Sequence, residues 1–256
     1  MEQSTGAPRT PRVPWRVIAF VLILTAYVLL TIGVIHRSPL LTLDRDVFRL
    51  DMRDRFPGWF YGIHTFVMLG QRAPATLVAL PWFVWRAWKS RSSRPLVMLA
   101  TALVVLNLSV GIVKVATGRL GPRATHQVHA VFEGGDIFPS GHVSNAVVLY
   151  GVIAMLAVSF HRTAIAMAGF LSLTIGLSTI YLDTHWLTDV LGGWLAGGLV
   201  LVALPWLMPY TQQLADWAER RARRLFATWR ADRRRPAPVR PPAVVDRAAG
   251  YGSSTA

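Results

Sequence analysis

The chain contains no cysteine. Disulfides, thiol nucleophiles and thiolate metal sites are therefore excluded. Charge is also scarce: Asp, Glu, Lys and Arg make up 16% of the residues, against about a quarter in typical soluble domains. Acid is the scarcer sign, with 13 Asp and Glu against 27 Lys and Arg and a formal net charge of +14. No group of Asp, Glu and His has metal-ligand spacing. Asp183, His185 and Asp189 come nearest, and two carboxylates beside one imidazole are too few. Neither a metal nor another cofactor is expected. Internal repeats are absent too.

What the sequence does have is apolar length. Hydrophobic residues are 53% of its 256. They gather in runs of about 20 residues, the length of a helix that crosses a bilayer. Six spans are expected: Trp15 to Ile35, a segment entered after Phe66 that includes "APATLVALPWFVWRAW", Pro95 to Ala116, Val143 to Phe160, Thr163 to Leu182, and Thr188 to Met208. The first is too long for a signal peptide and no small-x-small cleavage site follows it, so it reads as a retained anchor. The fold class is thus all-α, a polytopic membrane helical bundle. Its expected organisation is a cytoplasmic segment 1–14, a membrane domain 15–208 and a cytoplasmic tail 209–256.

The basic residues orient these spans. "RTPRVPWR", "RAWKSRSSR", His161 with Arg162, and "ERRARRLFATWRADRRR" all fall on one side of a six-span chain. Excess Lys and Arg marks that side as cytoplasmic. The excess is explained by the membrane, so no nucleic-acid partner is expected. The tail places Leu214, Trp217, Ala218, Leu225 and Trp229 near one helical face with arginines elsewhere. It reads equally as an amphipathic helix on anionic headgroups and as a solvated tail that only fixes topology. From Pro236 onward, Pro, Ala and Gly predominate and disorder is expected. The opposite, exoplasmic side receives Lys114, the 117–142 loop, His185 and Asp189.

Three polar stretches meet there. "PSGH", Pro139 to His142, opens a span. Ser140 suits a helix cap, and the free N–H groups of a helix start favour an anion. His185 and Asp189 are four residues apart and share a helix face. A carboxylate on one imidazole nitrogen leaves the other free to attack. Trp186 between them reads as an interfacial aromatic. Lys114 ends the third span, followed by Arg119 and Arg123 in "KVATGRLGPR". Such cations suit phosphate oxygens. Each feature has a structural explanation of its own: a snorkelling lysine, a capped helix, an acid in a first helical turn. Together they compose a phosphoryl-transfer site.

The order and spacing resemble the type 2 phosphatidic acid phosphatase superfamily, which includes membrane lipid phosphatases and soluble vanadium haloperoxidases. "KVATGRLGP" aligns Lys114 and Pro122 with its first motif. "PSGH" matches the second completely. "STIYLDTHWLTD" aligns Ser178, His185 and Asp189 with the third. The resemblance implies that His185 attacks phosphorus to form a phosphohistidine, that Asp189 orients it, and that His142 is the general acid and then base. It also implies that Lys114, Ser140 and the Gly141 N–H hold the phosphoryl oxygens, without a metal. Two family arginines are absent: Gly121 and Thr179 stand in their places. Arg119 and Arg123 flank the first of these and are the expected replacements. The expected function is hydrolysis of a lipid phosphate or diphosphate at the outer face of a plasma membrane. The competing readings are a lipid-linked phosphotransferase and a non-catalytic protein that binds anionic lipid.

Overall fold

The computed structural model describes residues 15–233, and their side chains as far as Phe226. The expectations for residues 1–14 and from Pro236 onward lie outside the described residues. The described chain divides into two compact units, with the boundary between Gln213 and Leu214.

Every regular element among the described residues is helical. Helix α1 is Trp15–Ile35, and α2 (Leu41–Phe48), α3 (Met52–Arg55) and α4 (Phe60–Val67) follow as short pieces. Then come α5 (Arg72–Ser90), α6 (Arg94–Thr117), α7 (Gly141–Leu156), α8 (His161–Tyr181) and α9 (Leu187–Arg233). Four of these, α1, α6, α8 and α9, are long and apolar enough to cross a membrane. The other two expected spans are less plain. Helix α7 is apolar but has 16 residues. Helix α5 has 19 residues, but Arg72, Arg86 and Lys89 interrupt its apolar character. The last helix departs from expectation. It does not end at Met208 but continues through Pro209, because an interior proline can bend a helix without ending it.

The exposed surface of the long helices is what lipid requires. Ile18, Val21, Leu22, Leu29 and Ile32 on α1 face outward, as do Ile165, Met167, Phe170, Leu173 and Leu177 on α8. An apolar patch of this extent on a protein marks a nonaqueous partner. The helices satisfy their own backbone, as a spanning element must. This is a multi-pass membrane protein.

The main core lies between α5, α6, α7 and α9, with Phe83, Leu99, Leu106, Val110, Leu149, Val152, Val200 and Leu204 buried. Helix α9 reaches α7 through small residues. A Cβ on Gly193 would lie 2.8 Å from the Ser140 carbonyl oxygen, and one on Gly197 would lie 2.7 Å from Val147 Cβ. Glycines four apart let two membrane helices touch backbone to side chain. A second cluster sits at one end of the bundle. It joins Leu30 and Val34 of α1, Leu41 of α2, Val128, Val131 and Phe138 of the long α6–α7 loop, and Trp186. That cluster is the floor on which the polar stretches assemble.

Candidate active site

Helix α6 delivers Lys114 one turn before its end. Gly118 closes the helix with a positive φ of 50° and donates its N–H to the Lys114 carbonyl at 2.9 Å. That left-handed cap is the usual role of glycine. The loop then folds back on the helix end: the Phe132 N–H bonds the Thr117 carbonyl, and the Gly135 N–H bonds that of Gly118. The Lys114 ammonium donates to the Asp136 carbonyl. It also sits about 4.0 Å from where a Cβ on Gly141 would be. Lys114 thus faces the start of α7.

Helix α7 opens as the motif predicts. Ser140 is its N-cap and accepts from the Val143 N–H at 3.4 Å. Its own N–H donates to the Asp189 carbonyl at 2.9 Å, tying the start of α7 to the start of α9. His142 follows, and its ring meets that of His185 edge to face with centroids 5.9 Å apart. Asp189 lies behind His185, with Oδ2 at 3.6 Å from Nδ1. The same Oδ2 accepts from the Trp186 N–H at 2.9 Å, half of a capping box at the start of α9. Both readings of Asp189 therefore hold at once. It caps the helix and it stands against the imidazole. The structure brings Lys114, Ser140, Gly141, His142, His185 and Asp189 into one neighbourhood.

The two arginines are placed differently from the other predicted residues. Arg119 has no exposed surface. Nη1 donates to Asp189 Oδ1 at 2.6 Å and to Thr188 Oγ1 at 2.7 Å. Nη2 donates to Asp44 Oδ2 at 2.7 Å and to the Val128 carbonyl at 3.1 Å. Only its Nε–H lacks a partner among the described residues, and that atom is buried. Asp44 in turn accepts from the Thr188 N–H and hydroxyl, both at 2.7 Å. Burial holds the Asp44 carboxyl above its ordinary range, and Arg119 and Thr188 pull it the other way. Such a pair is costly to split: removing one partner of a buried ion pair costs about 3–5 kcal/mol. Arg123 is exposed and donates twice to the Leu182 carbonyl, from Nε at 3.2 Å and Nη2 at 2.9 Å.

The positions of the missing arginines are filled. A Cβ on Gly121 would lie 3.0 Å from Ile137 Cγ1 and 3.3 Å from the Thr184 carbonyl oxygen. Thr179 is fully buried and donates to the Gly176 carbonyl at 2.7 Å.

Three residues of the site were not legible beforehand. Asp44 belongs to a stretch of mixed charge with no motif. Arg72, exposed at the start of α5, is close enough to Lys114 for the two charges to repel. The turn before it packs on α7, where the Gly70 carbonyl accepts from Asn145 at 3.1 Å. Trp186 corrects an expectation. It is not an interfacial aromatic but 1% exposed. It donates from Nε1 to the Leu120 carbonyl at 2.9 Å and lies over the Arg119 guanidinium. The α6–α7 loop covers it, which no helical pattern announces.

The comparisons agree with this assembly. Residues 95–213 match the PAP2 superfamily. Phosphatidylglycerophosphatase B of Bacillus subtilis (strain 168) is 40% identical over 77 residues, 27% of this chain and 38% of that protein. The match thus spans well under half the length of that curated relative. Among solved structures, the crystal structure of a transmembrane PAP2-type phosphatidylglycerolphosphate phosphatase from Bacillus subtilis superposes with a TM-score of 0.64. That alignment covers 73% of this chain and 94% of that one at 23% identity, a likeness of fold. The family match runs from the start of α6 into α9 and takes in every motif residue gathered at this end of the bundle, so over that stretch the chain is similar to the PAP2 superfamily.

Proposed function

We propose that the chain is an integral membrane phosphatase that hydrolyses a lipid phosphate or diphosphate through a phosphohistidine. The observation that carries this is the pairing of His142 with His185, rings 5.9 Å apart and Asp189 behind the second. With Nδ1 turned to Asp189, Nε2 of His185 is the attacking atom. It bonds to phosphorus as the bond from phosphorus to the lipid oxygen breaks, and His142 gives that oxygen its proton. Water then attacks the phosphohistidine, His142 takes a proton from it, and inorganic phosphate leaves. The Lys114 ammonium and the N–H groups at the start of α7 balance the phosphoryl oxygens.

Lipid is the favoured substrate because the site stands at the ends of lipid-facing helices. Phosphatidylglycerol phosphate is the first candidate, because the Bacillus relative is a phosphatidylglycerophosphatase. The end of the bundle opposite the site carries Arg86, Lys89, Arg91, Arg94 and Arg162. That distribution supports a cytoplasmic position for those residues and an exoplasmic one for the site. The test is release of phosphate by purified protein in detergent from phosphatidylglycerol phosphate, phosphatidate and a prenyl diphosphate. Wild type releases it and His185→Ala does not. No release from any of them by wild type sinks the proposal, and transfer to an added hydroxyl in place of free phosphate makes the chain a phosphotransferase.

A further inference from the structure

We infer that Arg119 is a positioning residue of the proposed nucleophile, acting through Asp189, and that Asp44 braces it from α2. The inference rests on the proposed phosphatase reading and deepens it.

The bonds of the Asp189 carboxylate are divided. Oδ1 receives Arg119 at 2.6 Å, while Oδ2 receives the Trp186 N–H at 2.9 Å and faces His185 Nδ1. Held at both oxygens, the carboxylate cannot rotate, and the edge offered to the imidazole is set. The guanidinium is fixed in its turn. The arm that reaches Asp189 also donates to Thr188, and the second arm is gripped by Asp44 and the Val128 carbonyl. A planar fork locked on both sides transmits orientation in a way that a flexible ammonium does not. With both terminal nitrogens engaged and the remaining Nε–H buried, Arg119 presents no exposed donor to a phosphate.

Charge points the same way. Asp44, Arg119 and Asp189 together leave one negative charge directly behind His185. That charge opposes the positive charge the ring acquires when its nitrogen bonds to phosphorus. The chain thereby makes α2, a short helix far upstream in sequence, part of the apparatus that positions His185.

The test uses the double variant Asp44→Asn/Arg119→Gln, which removes one charge of each sign and leaves Asp189 ionised. Its kcat is expected to fall roughly 100-fold, the cost of a misplaced reacting group, while inhibition by inorganic phosphate stays at the wild-type level. A second readout needs no turnover. Diethyl pyrocarbonate modification of His185, measured by peptide mass spectrometry against the exposed His161, is expected to change in the direction seen for Asp189→Asn. Arg119→Lys, which keeps the cation and loses the fork, is read the same way should the double variant fail to fold. Phosphate inhibition weakened about tenfold or more, a difference of 1.4 kcal/mol in binding, would make Arg119 a phosphate ligand and overturn the inference. A His185 modification rate equal to wild type would also overturn it. A wild type that hydrolyses no lipid phosphate defeats the phosphatase reading alone, since the modification assay still decides the role of Arg119.

Discussion

Gly121 and Arg119 are two residues apart: the first stands at the position of the motif arginine, and the second turns inward to Asp44 and Asp189. Ile137 fills the space into which a side chain at Gly121 would grow. Restoring the family arginine there is therefore expected to harm. Gly121→Arg should cost about 1–3 kcal/mol by overpacking, and the added Ile137→Ala should recover part of it, as measured by thermal unfolding in detergent. Cation for the phosphate must come from elsewhere. Arg72, exposed at the start of α5 and near enough to Lys114 for their charges to repel, is one candidate, while Arg123 is engaged by the Leu182 carbonyl. Arg72→Ala is expected to raise KM about fivefold, within the range of a solvated charge pair, with kcat little changed. An unchanged KM would remove Arg72 from the pocket. The motif residues His142, His185, Asp189 and Lys114 were legible because each belongs to a short stretch of fixed spacing. Arg119 was legible as a cation and not as a partner of Asp189, because its bonds run to residues 75 and 70 positions away.

Helices hold these residues at their ends, and the junction of α7 with α9 matters most. Ser140 caps one helix, Asp189 caps the other, and the Ser140 N–H bonds the Asp189 carbonyl. Gly193 permits that approach. Gly193→Ala would bring a methyl to 2.8 Å from the Ser140 carbonyl oxygen and 2.9 Å from Val143 Cβ. It is expected to lower stability by about 1–3 kcal/mol and to depress phosphate release, because the two halves of the site ride on the two helices. Unfolding temperature and kcat that match wild type would refute this. Ser140→Ala is the milder change, with loss of a cap worth about 1 kcal/mol. Helix positions were readable from apolar length: α1 falls on Trp15–Ile35 as expected, and α6 and α8 within two residues of their expected ends. The end of α9 was not, since Pro209 alone does not decide whether a helix stops.

The whole chain offers its own means of testing topology, because it has no cysteine. Single cysteines can be placed at will. A cysteine at Phe132, exposed on the α6–α7 loop, is expected to react in intact cells with a membrane-impermeant maleimide. One at Ser92, in the α5–α6 turn, is expected to react only after permeabilisation. The reverse pattern would place the site inside. The sequence by itself determined that the chain is a helical membrane protein and which histidines and aspartate compose its motifs. Apolar length and local spacing are properties of neighbouring residues. Only the tertiary structure decided that Trp186 lies buried beneath a loop, that Ile137 fills the space at Gly121, and that Arg119 turns inward to Asp44 and Asp189. Those outcomes depend on which distant segments pack at one end of the bundle, where a buried guanidinium must find carboxylates wherever the fold supplies them.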